Sequence, residues 1–246
     1  MKNIKKTIVA MLAVLTTVFA FHTTVSNAKE IPAETLAKIR SFSGVSMSPD
    51  GNYIASMRPV KGRKYLIIES IDPALKKQTS VFNPAKATVS SYMWLNNDRL
   101  AVSVYYNKTF RGTPYREWRL ISVGKNGKNI VNIAKNKNSG GAQANLSDIK
   151  SLLPNDNDHA IIQIGGSVYN VNIKTGKRGK RLSGSNTGGN WYADYEGNVR
   201  LGFSGFGTAI KVMMRGKNGG GWKTIDRYDR VTGNARYDVI GFSPEE

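Results

Sequence analysis

The sequence contains no cysteine and, beyond position 28, a single histidine, His159. Disulfide stapling and thiolate metal sites are thereby excluded, and imidazole chemistry is limited to one ring. Acidic residues are sparse as well: 17 Asp and Glu face 36 Lys and Arg, a formal net charge of +19 over 246 residues. A surplus of that size attracts anionic surfaces and keeps a chain soluble, but it selects no fold. Apolar residues at helical spacing are scarce, whereas glycine and asparagine are plentiful. That balance predicts an all-β chain with many turns, long enough for one large domain or two small ones.

The amino terminus reads as a targeting segment. Lys2, Lys5 and Lys6 precede the apolar run Thr7 to Phe21, and Val25-Ser26-Asn27-Ala28 offers small residues for cleavage. The run is short of a membrane span and is interrupted by Thr16 and Thr17. Residues 1–28 are therefore expected to be a signal peptide directing export across a bacterial inner membrane, giving a periplasmic or secreted protein with no span after cleavage. Setting aside the three lysines takes the formal charge from +19 to +16, so the basic character belongs to the folded part. A short helix is expected over Ile31 to Ile39, opened by Pro32.

From there the pattern is a recurrence of short strands. Val45-Ser46-Met47-Ser48-Pro49-Asp50-Gly51-Asn52-Tyr53-Ile54-Ala55-Ser56-Met57 is two strands around a Pro-Asp-Gly turn. Weaker copies follow: Ser91 to Trp94 turning at Asn96-Asn97-Asp98 into Arg99 to Val104, then Ile149 to Leu153 turning at Pro154 to Asp158 into Ala160 to Ile164. A fourth runs Trp191 to Ala193, turns at Asp194 to Gly197, and returns through Val199 to Phe203. Each is followed by two more strand-like stretches. Tyr105 to Arg116 is expected as a loop, and Gly219-Gly220-Gly221 as a turn. Units of four strands at spacings of about 40 to 60 residues fit the blades of a β-propeller better than a sandwich or irregular barrel. Tyr237 to Glu245 reads as the opening of a fifth blade, so residues 29–246 are expected to form an incomplete propeller.

Several stretches together resemble a known family. Phe42 to Gly51, Trp94 to Leu100, Ser151 to Asp156, Val168 to Gly176 and Asp194 to Arg200 stand in an order and spacing similar to the amino-terminal propeller of secreted bacterial prolyl oligopeptidase-type serine peptidases, a group that includes acylaminoacyl-peptidases and dipeptidyl aminopeptidases. The resemblance covers about residues 31 to 246. It implies a propeller that caps an α/β-hydrolase domain and admits only short peptides. That domain would follow the propeller, and no catalytic residue of the family can be placed on this sequence.

Direct inspection for chemistry agrees. A nucleophile elbow requires Gly-x-Ser-x-Gly, and Gly202-Phe203-Ser204-Gly205-Phe206 puts Phe at the last position, which reads as a hairpin loop. His159 follows Asp156 and Asp158 closely, and neighbours so near in sequence seldom orient a catalytic base, so a strand-edge role is expected. Asn155-Asp156-Asn157-Asp158 lacks the downstream Glu of a calcium loop. No catalytic residue, cofactor or metal is expected.

Lys174 to Arg181 is the densest basic run, and Tyr105, Tyr106, Phe110 and Tyr115 interleave with Lys108, Arg111 and Arg116. Either stretch could meet a polyanion. An exported protein seldom meets nucleic acid, so anionic envelope polymers are the partner these stretches suggest. Trp94, Trp118, Trp191 and Trp222 fall in strands and are assigned to blade packing. The sequons at Asn107 and Asn145 are set aside for a bacterial protein. Two functions follow: a non-catalytic, substrate-gating propeller of such a peptidase, inactive alone, or a freestanding propeller-like module that binds anionic polymers.

Overall fold

The computed structural model of the protein describes residues 43–72, 78–135, 143–183, 189–233 and 238–243. The expected signal peptide and the Ile31–Ile39 helix lie outside them. Among the described residues, sixteen strands form four antiparallel sheets, each of four strands in plain sequential order. The first sheet holds β1 (Ser43–Met47), β2 (Tyr53–Val60), β3 (Arg63–Ser70) and β4 (Thr79–Phe82); the second β5 (Thr88–Trp94), β6 (Arg99–Phe110), β7 (Thr113–Gly124) and β8 (Val131–Asn132). The third holds β9 (Ile149–Ser151), β10 (His159–Ile164), β11 (Ser167–Asn172) and β12 (Arg178–Arg181); the fourth β13 (Gly189–Ala193), β14 (Val199–Phe206), β15 (Ala209–Gly216) and β16 (Gly219–Asp229). One 3-10 turn, Leu146–Asp148, leads into β9, with the Asn145 side chain as its cap.

Successive sheets pack face to face, which makes each a propeller blade. Ala55, Leu66 and Ile68 of the first meet Val89, Leu100 and Val102 of the second. The other face of the second, through Ala101 and Leu120, meets Ala160, Ile162 and Val171 of the third. Ile161 and Val168 of the third meet Trp191 and Val199 of the fourth. The middle strands are thus covered on both faces, so β6 and β10 read as continuous apolar runs rather than alternating ones. Enclosing one such side chain as completely as Ile162 contributes about 1.5–3 kcal/mol.

The structure departs from the sequence expectations at several places. Tyr105 to Arg116 is no loop: β6 and β7 stay in register to Phe110↔Thr113 and turn at Arg111-Gly112, both in the left-handed region. Gly202 to Phe206 is strand β14 rather than a hairpin loop. The triple glycine belongs to β16, which pairs Gly219 with Gly216 and puts the turn at Lys217-Asn218. Of the four tryptophans, Trp94 and Trp191 are buried, whereas Trp118 and Trp222 are half-buried and stack on Tyr105 and Trp191. Residues 238–243 lie in no strand, and Arg200 stands over the Phe242 ring.

Candidate functional site

In every blade the first strand turns into the second at the same end, and each of these turns is locked by an Asp or Asn side chain. The Asp50 carboxylate accepts from Ser48 Oγ at 2.5 Å and from the Asn52 amide at 3.2 Å. These bonds, Ser48's first, hold Asp50 below the usual carboxylate range. Asn96 Oδ1 accepts from the Asp98 and Arg99 amides, each at 2.9 Å, while its Nδ2 donates to the Asn157 carbonyl of the next blade at 2.6 Å. Asp156 accepts from the Asp158 amide at 2.9 Å, and Asp194 from Asn198 N at 2.8 Å. Short polar side chains that bond two residues ahead are what such turns need.

A second device ties the third-to-fourth turn of a blade to the first-to-second. Lys125 Nζ meets Asp98 at 2.8 Å, Lys174 Nζ meets Asp158 at 2.5 Å, and Lys217 Nζ meets Glu196 at 3.3 Å. Each pair is solvent-exposed and contributes no more than about 1 kcal/mol.

Between the turns lies a pocket of about 590 Å³ to which all four blades contribute. Pro49 comes from the first blade, Leu95 and Asn97 from the second, Lys150, Leu152 and Asn157 from the third, and Tyr195 from the fourth. Apolar walls with a few amides, the Lys150 cation and the Asp194 carboxylate are the ordinary make-up of a ligand site. Lys150 Nζ donates to Ser147 O at 3.0 Å and Asn190 Oδ1 at 3.1 Å, above the Tyr192 ring at 6.0 Å. Burial pulls its ammonium below the usual lysine range, and Asp148 partly offsets that. Tyr195 stands 77% exposed at the lip.

The residues singled out from sequence fall elsewhere or are already engaged. His159 opens β10, and its Nδ1 lies 2.8 Å from the Asp156 carboxylate, which orients the ring. With Nδ1–H donating, Nε2 faces the Asn172 amide at 3.5 Å rather than a serine. The carboxylates of Asp156 and Asp158 diverge, one to His159 and one to Lys174. Among the described residues no group of His, Asp and Glu is placed to hold a metal. Ser204 is 4% exposed within β14, which gives it no access to a substrate.

The basic run does not act as one patch: Lys174 is tied to Asp158 and Arg178 stands over Tyr169 at 5.0 Å. Arg178 and Lys180 lie on the outer strand β12, where long cations keep a sheet edge from pairing with another. Sequence reading passed over Lys150 and Tyr195. A lone cation inside the apolar stretch Ile149 to Leu153 was the available signal.

No protein-family model and no curated protein matches the chain. Among solved structures it is similar to the β-propeller domain of Cps50 (Swd1) from Myceliophteria thermophila, at 10% identity and a TM-score of 0.33 over 76% of this chain and 59% of that one. It is also similar to TolB from Acinetobacter baumannii, at 14% identity and a TM-score of 0.30 over 78% of this chain and 42% of that one. The chain thus spans less than two thirds of either structure. No described helix is long and apolar enough to cross a membrane. By its own sheets, four sequential four-stranded antiparallel blades stacked face on face, the chain is a β-propeller module.

Proposed function

We propose that the turn end of this propeller is a non-catalytic binding site for short peptides. The resemblance to prolyl oligopeptidase-type peptidases implies a propeller that gates and positions short peptides for an α/β-hydrolase domain, and a peptide site at this end extends that role. The pocket bounded by the inner turns of all four blades supports the reading. Leu95, Leu152 and Pro154 offer an apolar wall for a side chain, and Asn97 and Asn157 offer amide groups that match a peptide backbone. Lys150 keeps a donor for a terminal carboxylate beyond its bonds to Ser147 and Asn190.

Titration calorimetry of the purified chain with short peptides tests this. Peptides with a free carboxylate are expected to bind, and amidation or Lys150→Met is expected to weaken them about tenfold, the worth of one charge-assisted hydrogen bond. Absence of peptide binding, or indifference to both changes, would overturn the site. Cleavage of peptidyl reporters that serine-directed inhibitors abolish would overturn its non-catalytic character.

A further inference from the structure

At the opposite end of the blades, the β6–β7 hairpin carries residues 107–116 out into solvent, every one of them exposed. This arm holds Lys108, Arg111 and Arg116 and no Asp or Glu. Its tip is apolar: Phe110 is 64% exposed, and Tyr115 is exposed beside it. The register is unbroken to the turn, where Arg111 at φ 47° and Gly112 at φ 81° give the tight left-handed geometry that matches strand twist. Gln143 pins the base, accepting from Trp118 N at 3.0 Å and donating to Arg116 O at 3.3 Å. The arm is therefore a preformed projection.

The equivalent turn of the first blade repeats the chemistry. Val60-Lys61-Gly62 places an exposed apolar residue ahead of a cation and a glycine, as Phe110-Arg111-Gly112 does, with the same positive φ at Lys61 and Gly62. Two neighbouring blades thus present an apolar residue backed by cations at one end.

We propose that this end is a peripheral docking surface for an anionic phospholipid bilayer, with Phe110 entering the headgroup region and Lys108, Arg111 and Arg116 meeting lipid phosphates. An apolar tip with cations behind it fits an interface that is apolar below and negatively charged at its surface. Single-stranded nucleic acid fits less well, because its bases need aromatic faces open for stacking, and a soluble polyanion of any kind leaves the exposed apolar tip without a partner. Here Arg116 stands over Tyr105 at 4.6 Å and Arg111 over Phe110 at 5.3 Å, so one face of each ring is already covered.

The test is co-sedimentation of the full chain with vesicles of phosphatidylcholine alone and of phosphatidylcholine mixed with phosphatidylglycerol. The anionic vesicles alone are expected to carry the protein down, less so as salt is raised. Arg111→Ala and Arg116→Ala should each weaken partition about fivefold. In Phe110→Trp, brominated lipid should quench the added fluorescence, which distinguishes insertion from surface adhesion. These positions are exposed, and unchanged urea midpoints would confirm that the variants fold. Equal binding to neutral vesicles, no quenching at position 110, or retention on a soluble polyanion without vesicle binding would each overturn the proposal.

Discussion

The indole of Trp191 lies against the bare Cα of its cross-strand partner Gly202, so close that a Cβ there would fall 2.2 Å from ring carbon Cζ3. Trp191 is 1% exposed, and its Nε1 donates to the Gly166 carbonyl at 2.9 Å, so the ring has no room to withdraw. Gly202→Ala is therefore expected to cost about 1–3 kcal/mol, the usual range for overpacking. Gly221→Ala is the control, since nothing lies within 4 Å of a Cβ at that position. Urea midpoints of the two variants measure the difference. Equal midpoints would mean that the third and fourth blades are not seated on each other through this tryptophan.

Arg99 is 7% exposed at the start of β6, where its Nε donates to Ser122 Oγ at 2.7 Å and its Nη2 to the Asn129 carbonyl at 2.6 Å. Burial lowers its pKa, yet a guanidinium at that site remains charged at neutral pH. Replacing it with methionine fills the space but strands two polar groups, one of them the fully buried Ser122 hydroxyl. We expect Arg99→Met to destabilise by about 1–3 kcal/mol, the cost of leaving such groups unsatisfied. Adding Ser122→Ala should recover part of the loss, giving a coupling visible in a double-mutant cycle. Strict additivity would show that the hydrogen bond carries no weight.

The blade repeat was legible because its turns carry their own chemistry: Pro49-Asp50-Gly51, Asn96-Asn97-Asp98 and Asp194 to Gly197 each announce a reversal locally. What the sequence hid follows from packing between distant residues. The strands at 107–116 lack alternation because both faces of the arm are wet, and only the Arg111-Gly112 turn and the paired register define them. Gly202 and Gly205 suggested a loop, although Gly202 is small to make room for Trp191. The pocket was out of reach for the same reason, since Pro49, Leu95, Lys150 and Tyr195 come together only when four blades stack.

Tyr92 links the first two blades at their inner strands. Its hydroxyl hydrogen is shared between the carbonyls of Gly44 and Ala55, and its oxygen accepts from Ser46 Oγ at 3.2 Å. Burial raises its pKa above the ordinary 10.0, more than the Ser46 contacts lower it. A raised acid pKa in the folded state contributes stability that is present below the unfolded value and lost as pH rises through the folded one. In an ultraviolet titration one phenol should therefore ionise above the ordinary value of 10.0, and Tyr92→Phe should remove that late step. The same substitution should cost about 1 kcal/mol at neutral pH, one hydrogen bond. A late step that persists in the variant would assign the shift elsewhere.

Asp229 closes β16 onto the turn between β14 and β15. One carboxylate oxygen accepts from the Thr208 hydroxyl, and the other from the amides of Val231 at 2.8 Å and Thr232 at 3.1 Å. These donors, with Thr208 the strongest, lower its pKa from 3.8 to about 2. Because the folded state favours the carboxylate, this stabilisation is fully present above the ordinary value and is lost as pH falls towards about 2. Side-chain carboxyl resonances followed by pH should show Asp229 titrating well below the ordinary carboxylate value, at about 2. Thr208→Val should move that midpoint back towards, but not to, the ordinary value, since both amides still donate. The stability gap between the variant and the parent should narrow as pH falls through the same interval. A midpoint for Asp229 at the ordinary value of 3.8 would mean that the turn is not closed by these three donors in solution.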